Sequence, residues 1–299
     1  MMRGQRQATV VVRRRDGTLL SRTEILPASL YRSWFARRPF VRGLVALWEM
    51  LILGTRLMLF SAMVQAGGES EREIPRRLVF LMLGISLAFV LGVFFLLPYL
   101  AAAGHVGVRS GSLAGSALEG VLRLALFIGY LGLVGRLERM KQVFQYHGAE
   151  HKTVNAYEHN MPLTPQWVQR QSIVHVRCGT AFLLWVVVVS IFVFALLGHL
   201  PFLVNVAARV VLVPLIAAGC YEILRLAARF YHVRLVRAVM QPGLWLQRLT
   251  TREPTDAQVE VAIAALLPVL AADGQAHRTD AARLEIAVYP ENSSVGLPS

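Results

Sequence analysis

Charge is what this sequence has least of. Only 16% of its 299 residues are Asp, Glu, Lys or Arg, against 55% hydrophobic, and the mean hydropathy is +0.51. Soluble domains carry about 25% charged residues, so a membrane protein is the expectation. Acidic residues are scarcer still: 18 Asp and Glu face 31 Lys and Arg, nearly all Arg, giving a formal net charge of +13. No RNA- or DNA-binding signature interrupts the basic runs. They read as cytoplasmic loops obeying the positive-inside bias, and no nucleic-acid partner is expected. Two cysteines, Cys178 and Cys220, cannot make a disulfide framework. The first residues are polar and basic, unlike a cleavable signal peptide. No internal repeat is visible, which argues against a small-solute transporter built from inverted halves.

Long apolar runs are what it does have. Residues 78–100, "LVFLMLGISLAFVLGVFFLLPYL", are uncharged and long enough to span a bilayer. Further spans are expected over about 113–135, 180–200 and 202–224, the last with Glu222 at the membrane boundary. Residues 40–66 are apolar but carry Glu49 and Arg56, seven apart and so on one helix face. That pattern fits an interfacial helix or an embedded one with a polar inner face. Glu119 and Arg123 form an i,i+4 pair that can neutralise itself inside a bundle. Residues 8–26 read as two β-rich runs around the Asp16-Gly17 turn signal. The fold class is therefore an all-α polytopic membrane protein: about four transmembrane helices plus an embedded or interfacial helix, with a small N-terminal β-hairpin.

The distribution of Arg and Lys orients these spans. The segments 101–112 and 198–202 hold one Arg between them, while the N-terminal region, 136–177 and everything after 224 are Arg-rich. Both termini and the 136–177 loop are therefore expected in the cytoplasm. The chain divides into a cytoplasmic β-rich segment (1–38), a membrane domain (39–240) with a motif loop at 136–177, a cytoplasmic helical segment (241–270) and a disordered tail (271–299).

Chemistry concentrates in residues 145–160, "QYHGAEHKTVNAYEHN". His147, Glu150 and His151 stand in the H-x-x-E-H order of inverted zinc peptidases. Positions four apart on a helix lie one turn above each other, so both imidazoles reach one metal ion. Glu150 is the candidate catalytic residue, a general base toward a metal-bound water. A third ligand is needed, and Glu158 and Glu222 are the candidates. Glu158 falls about 20° from His147 around the helix at 100° per residue. His175 and Cys178, three apart in "HVRCGT", offer another pair of ligands. The metal would be Zn2+ or another divalent ion. The same residues also fit a hydrogen-bonded polar helix face, and Cys178 a small buried hydrophobe.

Several stretches resemble one family. "MMRGQRQ", "RPFVRGLVALWEMLILG", "YHGAEHKTVNAYE", "VRCGTAFLL", "AGCYEILRLAAR" and "QPGLWLQRLTTREPTDAQVEVAIAAL" are similar to the YqhQ-like bacterial membrane proteins, described as predicted metal-dependent enzymes of unknown function. The resemblance implies a multi-pass protein of the bacterial cytoplasmic membrane. Relatives begin with a Gly-rich stretch before a Val-Met-Met-Arg motif, so the translation start here is expected to lie inside a longer gene. Val176 stands where relatives tend to carry Pro, leaving a less rigid backbone beside His175 and Cys178.

Two functions follow as expectations. One is a metal-binding site at the cytoplasmic membrane surface, with hydrolysis of a peptide or lipid as its reaction. The other is a non-enzymatic accessory or scaffold of a membrane complex, such as protein translocation or insertion machinery, docking other membrane proteins. Membrane lipid is a partner in either case.

Overall fold

The computed structural model describes residues 1–26, 34, 38–66, 76–103, 113–198, 200–275 and 286–288. Its N-terminal part is a small sheet: β1 (Met2–Arg3), β2 (Gln7–Arg13) and β3 (Leu19–Ile25) run antiparallel, with Val10 opposite Arg22. The β2–β3 turn is set by Asp16, whose carboxylate accepts from the backbone N–H and the hydroxyl of Thr18, and by Gly17 at φ 89°. β4 (Ile286–Val288) adds to β3 in parallel, Leu19 opposite Ile286. Part of the 271–299 segment thus pairs in the sheet; 276–285 and 289–299 lie outside the described residues.

The run Val10-Val11-Val12 is buried throughout because both faces of the sheet are covered. Val10 and Val12 pack on α1 (Val41–Gln65) through Leu53, Leu57 and Phe60. Val11 faces α10 (Asp256–Ala272), where Val259, Ile263 and Leu266 are buried. A capping box starts α10: the Thr255 hydroxyl accepts from the Gln258 N–H, and the Gln258 amide oxygen accepts from the Thr255 N–H.

The apolar runs fold as α2 (Arg76–Leu91), a π-helical turn (Gly92–Leu96), α3 (Leu97–Ala103), α4 (Leu113–Val134), α7 (Gly179–Ala195) and α8 (Phe202–Arg229). Among the described residues four helices are long and apolar enough to cross a membrane: 41–65, 80–102, 114–134 and 202–229; α7, with 17 residues, is shorter. Large apolar side chains such as Phe80, Ile85, Leu87, Leu203, Val211 and Leu226 are exposed. Surface so apolar is matched by lipid rather than water.

α1 divides lengthwise. Glu49, Leu53, Leu57 and Phe60 face the sheet, Glu49 accepting from Arg3 at 2.9 Å, whereas Leu44, Trp48, Leu51 and Met58 are exposed on the opposite face. At its start Gly43 lies against Ala218 and Tyr221 of α8, and Arg42 pairs with Glu222. Glycine eases that approach, because a Cβ at 43 would sit 3.2 Å from the Ala218 carbonyl oxygen and the neighbours would have to give way.

Residues 136–177 are not a loop over most of their length. α5 (Glu138–Glu158) takes up 21 of them, followed by the short α6 (Pro165–Gln169). α9 (Arg234–Thr250) buries Met240, Leu244 and Gln247 and turns Leu235, Val239 and Trp245 outward beside Arg234, Arg237 and Arg248.

Candidate metal centre

His147 and His151 lie one turn apart on the inner face of α5, ring centroids 4.3 Å apart. Each is held from behind by a backbone carbonyl. His147 Nδ1 is 2.9 Å from the Thr250 oxygen and His151 Nδ1 is 2.6 Å from that of Ile173. A carbonyl only accepts, so each Nδ1 carries the proton and Nε2 becomes the atom offered to a metal. Both Nε2 atoms point at Cys178, whose Sγ is 3.3 Å from that of His147. The three ligand atoms lie within 4.8 Å of one another.

Cys178 is the N-cap of α7, and its sulfur accepts from the Thr180 N–H at 3.3 Å. Burial alone would raise its pKa. The hydrogen bonds and charges of His147 and His151 outweigh that and bring the thiol from 9.0 to about 5. Burial likewise works against a charged His147, yet the Cys178 sulfur and the Thr250 carbonyl leave its pKa above the ordinary value. Without a metal, this pair holds its proton as imidazolium and thiolate.

Side-chain amides fix the loop that brings Cys178 in. Gln247, fully buried on α9, accepts from the His175 N–H at 2.9 Å and donates to the His175 carbonyl at 2.8 Å. Asn155 donates to the Ser172 and Val174 carbonyls. Lys152 donates to the Gln169 carbonyl and pairs with Glu253 at 2.8 Å. The segment after α9 crosses α5 directly over Gly148, where a Cβ would stand 2.1 Å from the Arg252 carbonyl oxygen. That crossing is what delivers the Thr250 carbonyl to His147.

The other candidate ligands lie elsewhere. Glu158 pairs with Arg177 and, at 3.3 Å, with His175 Nε2. The His175 ring is 5.9 Å from that of His151 but outside the ligand triangle. Burial, opposed by Glu158, lowers its pKa. Glu222 is taken by Arg42 and by the Phe40 N–H at the start of α1. Glu150 is 42% exposed and stands 3.8 Å from the Met1 amino group. The structure thus groups His147 and His151 with Cys178, and with neither Glu158 nor Glu222. The supporting residues Gly148, Asn155, Gln247 and Thr250 carried no signal of their own beyond their place in "HGAEHKTVN" and "LQRLTT".

A family described as "Protein of unknown function (DUF1385)" matches residues 38–272. The chain belongs to it. It is also similar to the "Uncharacterized protein YqhQ" of Bacillus subtilis (strain 168), 34% identical over 279 residues that cover 88% of this chain and 86% of the relative. Residues 147, 151 and 178 all fall inside the family match. No solved structure matches the chain.

Proposed function

We propose that this member of the family is a multi-pass protein of the bacterial cytoplasmic membrane that holds a divalent metal, Zn2+ in the first instance, at the cytoplasmic membrane surface. His147, His151 and Cys178 are the ligands. One observation carries the reading: two Nε2 atoms and a thiolate converge while each Nδ1 is spent on a backbone carbonyl. Two imidazoles and one thiolate suit zinc, and three protein donors are the number that catalytic zinc sites use. When bound, such an ion supplies Lewis acidity for hydrolysis. The chain's own groups then divide the work. The Thr250 and Ile173 carbonyls orient the imidazoles, Gln247 and Asn155 hold the Cys178 loop, and Glu150 is the candidate proton acceptor on the exposed side of α5.

Both termini, the sheet and α10 lie in the cytoplasm in this reading. Supporting it are the Arg-rich segments on that side, the end of α4, where Gly135 lies against Leu249 and Phe144, and the start of α7, which Cys178 itself caps. α1 and α9 lie along the interface, each with one face on protein and an apolar face left for lipid. A scaffold reading draws on a different observation: the group of ligand atoms is made by His147, His151 and Cys178 and does not include Glu150.

Metal content of protein purified in detergent tests the centre. Near-stoichiometric metal is expected in the wild type and none in His147→Ala/His151→Ala or Cys178→Ser. Cobalt loaded in its place should show a sulfur-to-metal charge-transfer band that Cys178→Ser abolishes. Wild-type protein that takes up neither metal on titration sinks the centre. Glu150→Gln should keep the metal; if it also keeps cellular function, the hydrolytic role falls and the scaffold reading stands.

A further inference from the structure

At the other end of the bundle lies a cluster that the metal centre does not use. Arg209 of α8, 7% exposed, sets both Nη atoms on the Glu119 carboxylate, and its Nε donates to the Asn205 amide oxygen at 2.6 Å. Arg123, 1% exposed, donates to the same carboxylate, to the Phe94 carbonyl at 2.8 Å and to the Ser190 hydroxyl at 3.4 Å. Two guanidiniums thus share one carboxylate. The other acids on apolar helices are engaged elsewhere, Glu49 by Arg3 and Glu222 by Arg42. Among the described residues the cluster therefore carries a net charge of +1 inside apolar surroundings, where an uncompensated charge is costly. Three of the five guanidinium N–H groups of Arg209 are used in these contacts, so donors remain.

Arg209 also forms part of the wall of a cavity of ≈ 250 Å³ between α2, the π-turn, α3 and α8. Among the described lining side chains only Arg209 is charged; Ala88, Gly92, Phe95 and Val213 are among the apolar ones, and the Arg209 guanidinium lies over the rings of Tyr99 at 4.7 Å and Phe194 at 4.6 Å. Arg209 and Tyr99 are near the helix ends at 202 and 103, whereas Ala88 and Val213 lie deeper along the same helices. The cavity wall is thus apolar except at Arg209, which stands about two turns in from the 202 end beside Val206, with apolar wall continuing deeper to Val213 and Ala88. The volume is too small for the two chains of a phospholipid and takes part of one acyl chain, the remainder of which would run on along α2 and α8.

We propose that this cavity binds one long-chain fatty acid, with its carboxylate on Arg209 and its chain along α2 and α8. Binding would neutralise the excess charge and fill the apolar space in one step.

The test is titration of the purified, delipidated protein with the fluorescent fatty acid cis-parinaric acid, followed by displacement. Palmitate should displace it at about one per protein. Methyl palmitate, which lacks the charge, should be weaker by about tenfold or more. Phosphatidylglycerol, anionic but two-chained, should displace little. Arg209→Gln removes the anchor and leaves Glu119 and Arg123 balanced; affinity should fall by about tenfold or more. Gly92→Leu fills the cavity without touching any charge, since a Cβ there meets nothing within 4 Å; it should fall equally. If Arg209→Gln does not fold, Gly92→Leu decides alone. Equal binding of acid and ester, unchanged affinity in a folded variant, or better displacement by phosphatidylglycerol overturns the assignment.

Discussion

Two of the buried polar clusters among the described residues lie toward opposite ends of α7, and they are built on opposite plans. Cys178 caps the helix and Ser190 lies twelve residues further in, about 18 Å at 1.5 Å per residue. At the Cys178 end the functional atoms point at one another, and the stabilising hydrogen bonds come from behind, through backbone carbonyls and side-chain amides. At the Ser190 end the charged groups are bonded to each other directly, Glu119 holding Arg123 and Arg209. The first arrangement leaves ligand atoms free for an ion; the second uses its polar atoms to keep charge inside an apolar bundle. What this teaches is that burial of polar residues does not by itself mark a metal site. The direction of the hydrogen bonds does.

Breaking the inner cluster should have the largest effect. Glu119→Ala leaves two guanidiniums buried together, and removing one partner of a buried ion pair costs about 3–5 kcal/mol. Thermal melting in detergent should show a large loss of Tm, with metal content unchanged in whatever protein folds. Cys178→Ala removes a ligand without stranding a charged pair of like sign. It should cost about 1–2 kcal/mol while abolishing metal binding. If Glu119→Ala melts like the wild type, the direct ion pairing ascribed to that end is wrong.

A smaller effect separates the ligands from what holds them. Gln247→Leu strips the His175 N–H and carbonyl of their partners, and Gly148→Ala drives a methyl group against the Arg252 carbonyl. Each should cost about 1–3 kcal/mol. Each should also weaken metal binding although no ligand is altered, Gly148→Ala by lifting the Thr250 carbonyl off His147. Either variant binding metal with wild-type affinity would mean that the supports are dispensable.

How far the sequence reached follows from where its signals are local. His147 and His151 were legible because a four-residue spacing on a helix is sufficient to align them. Cys178 lies 31 positions from His147. It was visible only as one ligand candidate among several, since nothing local distinguishes it from Glu158 or Glu222. Those two proved to be partners of Arg177 and Arg42, which are contacts that only packing decides. Glu119 and Arg123 were readable as an i,i+4 pair, but Arg209, 90 positions from Glu119, was not. The apolar runs gave the helices, and the hairpin at Asp16-Gly17 formed as its turn signal implied. The strand at 286–288 is different: it pairs with β3 from more than 260 residues away.

The gentlest perturbation is one proton at Cys178. Its thiol is held at about 5 instead of 9.0, by His147 and His151 against the effect of burial. The folded pKa is depressed, so the thiolate contributes stability that is fully present above 9.0 and lost as pH falls through about 5. Thiolate absorbance at 240 nm, taken as the difference between metal-free wild type and Cys178→Ser, should therefore stay flat from the unfolded value down to about pH 6 and disappear around 5. His147→Ala should move the midpoint up toward 9.0, because a helix N-cap and one imidazole remain where there were two. Glu119→Gln, at the far end of α7, should leave the curve where it is. A wild-type midpoint near 9.0 would remove the imidazolium–thiolate pair and with it the picture of a ligand set kept ready by its own charges. A midpoint that moved with Glu119 would instead show the two ends of α7 to be coupled.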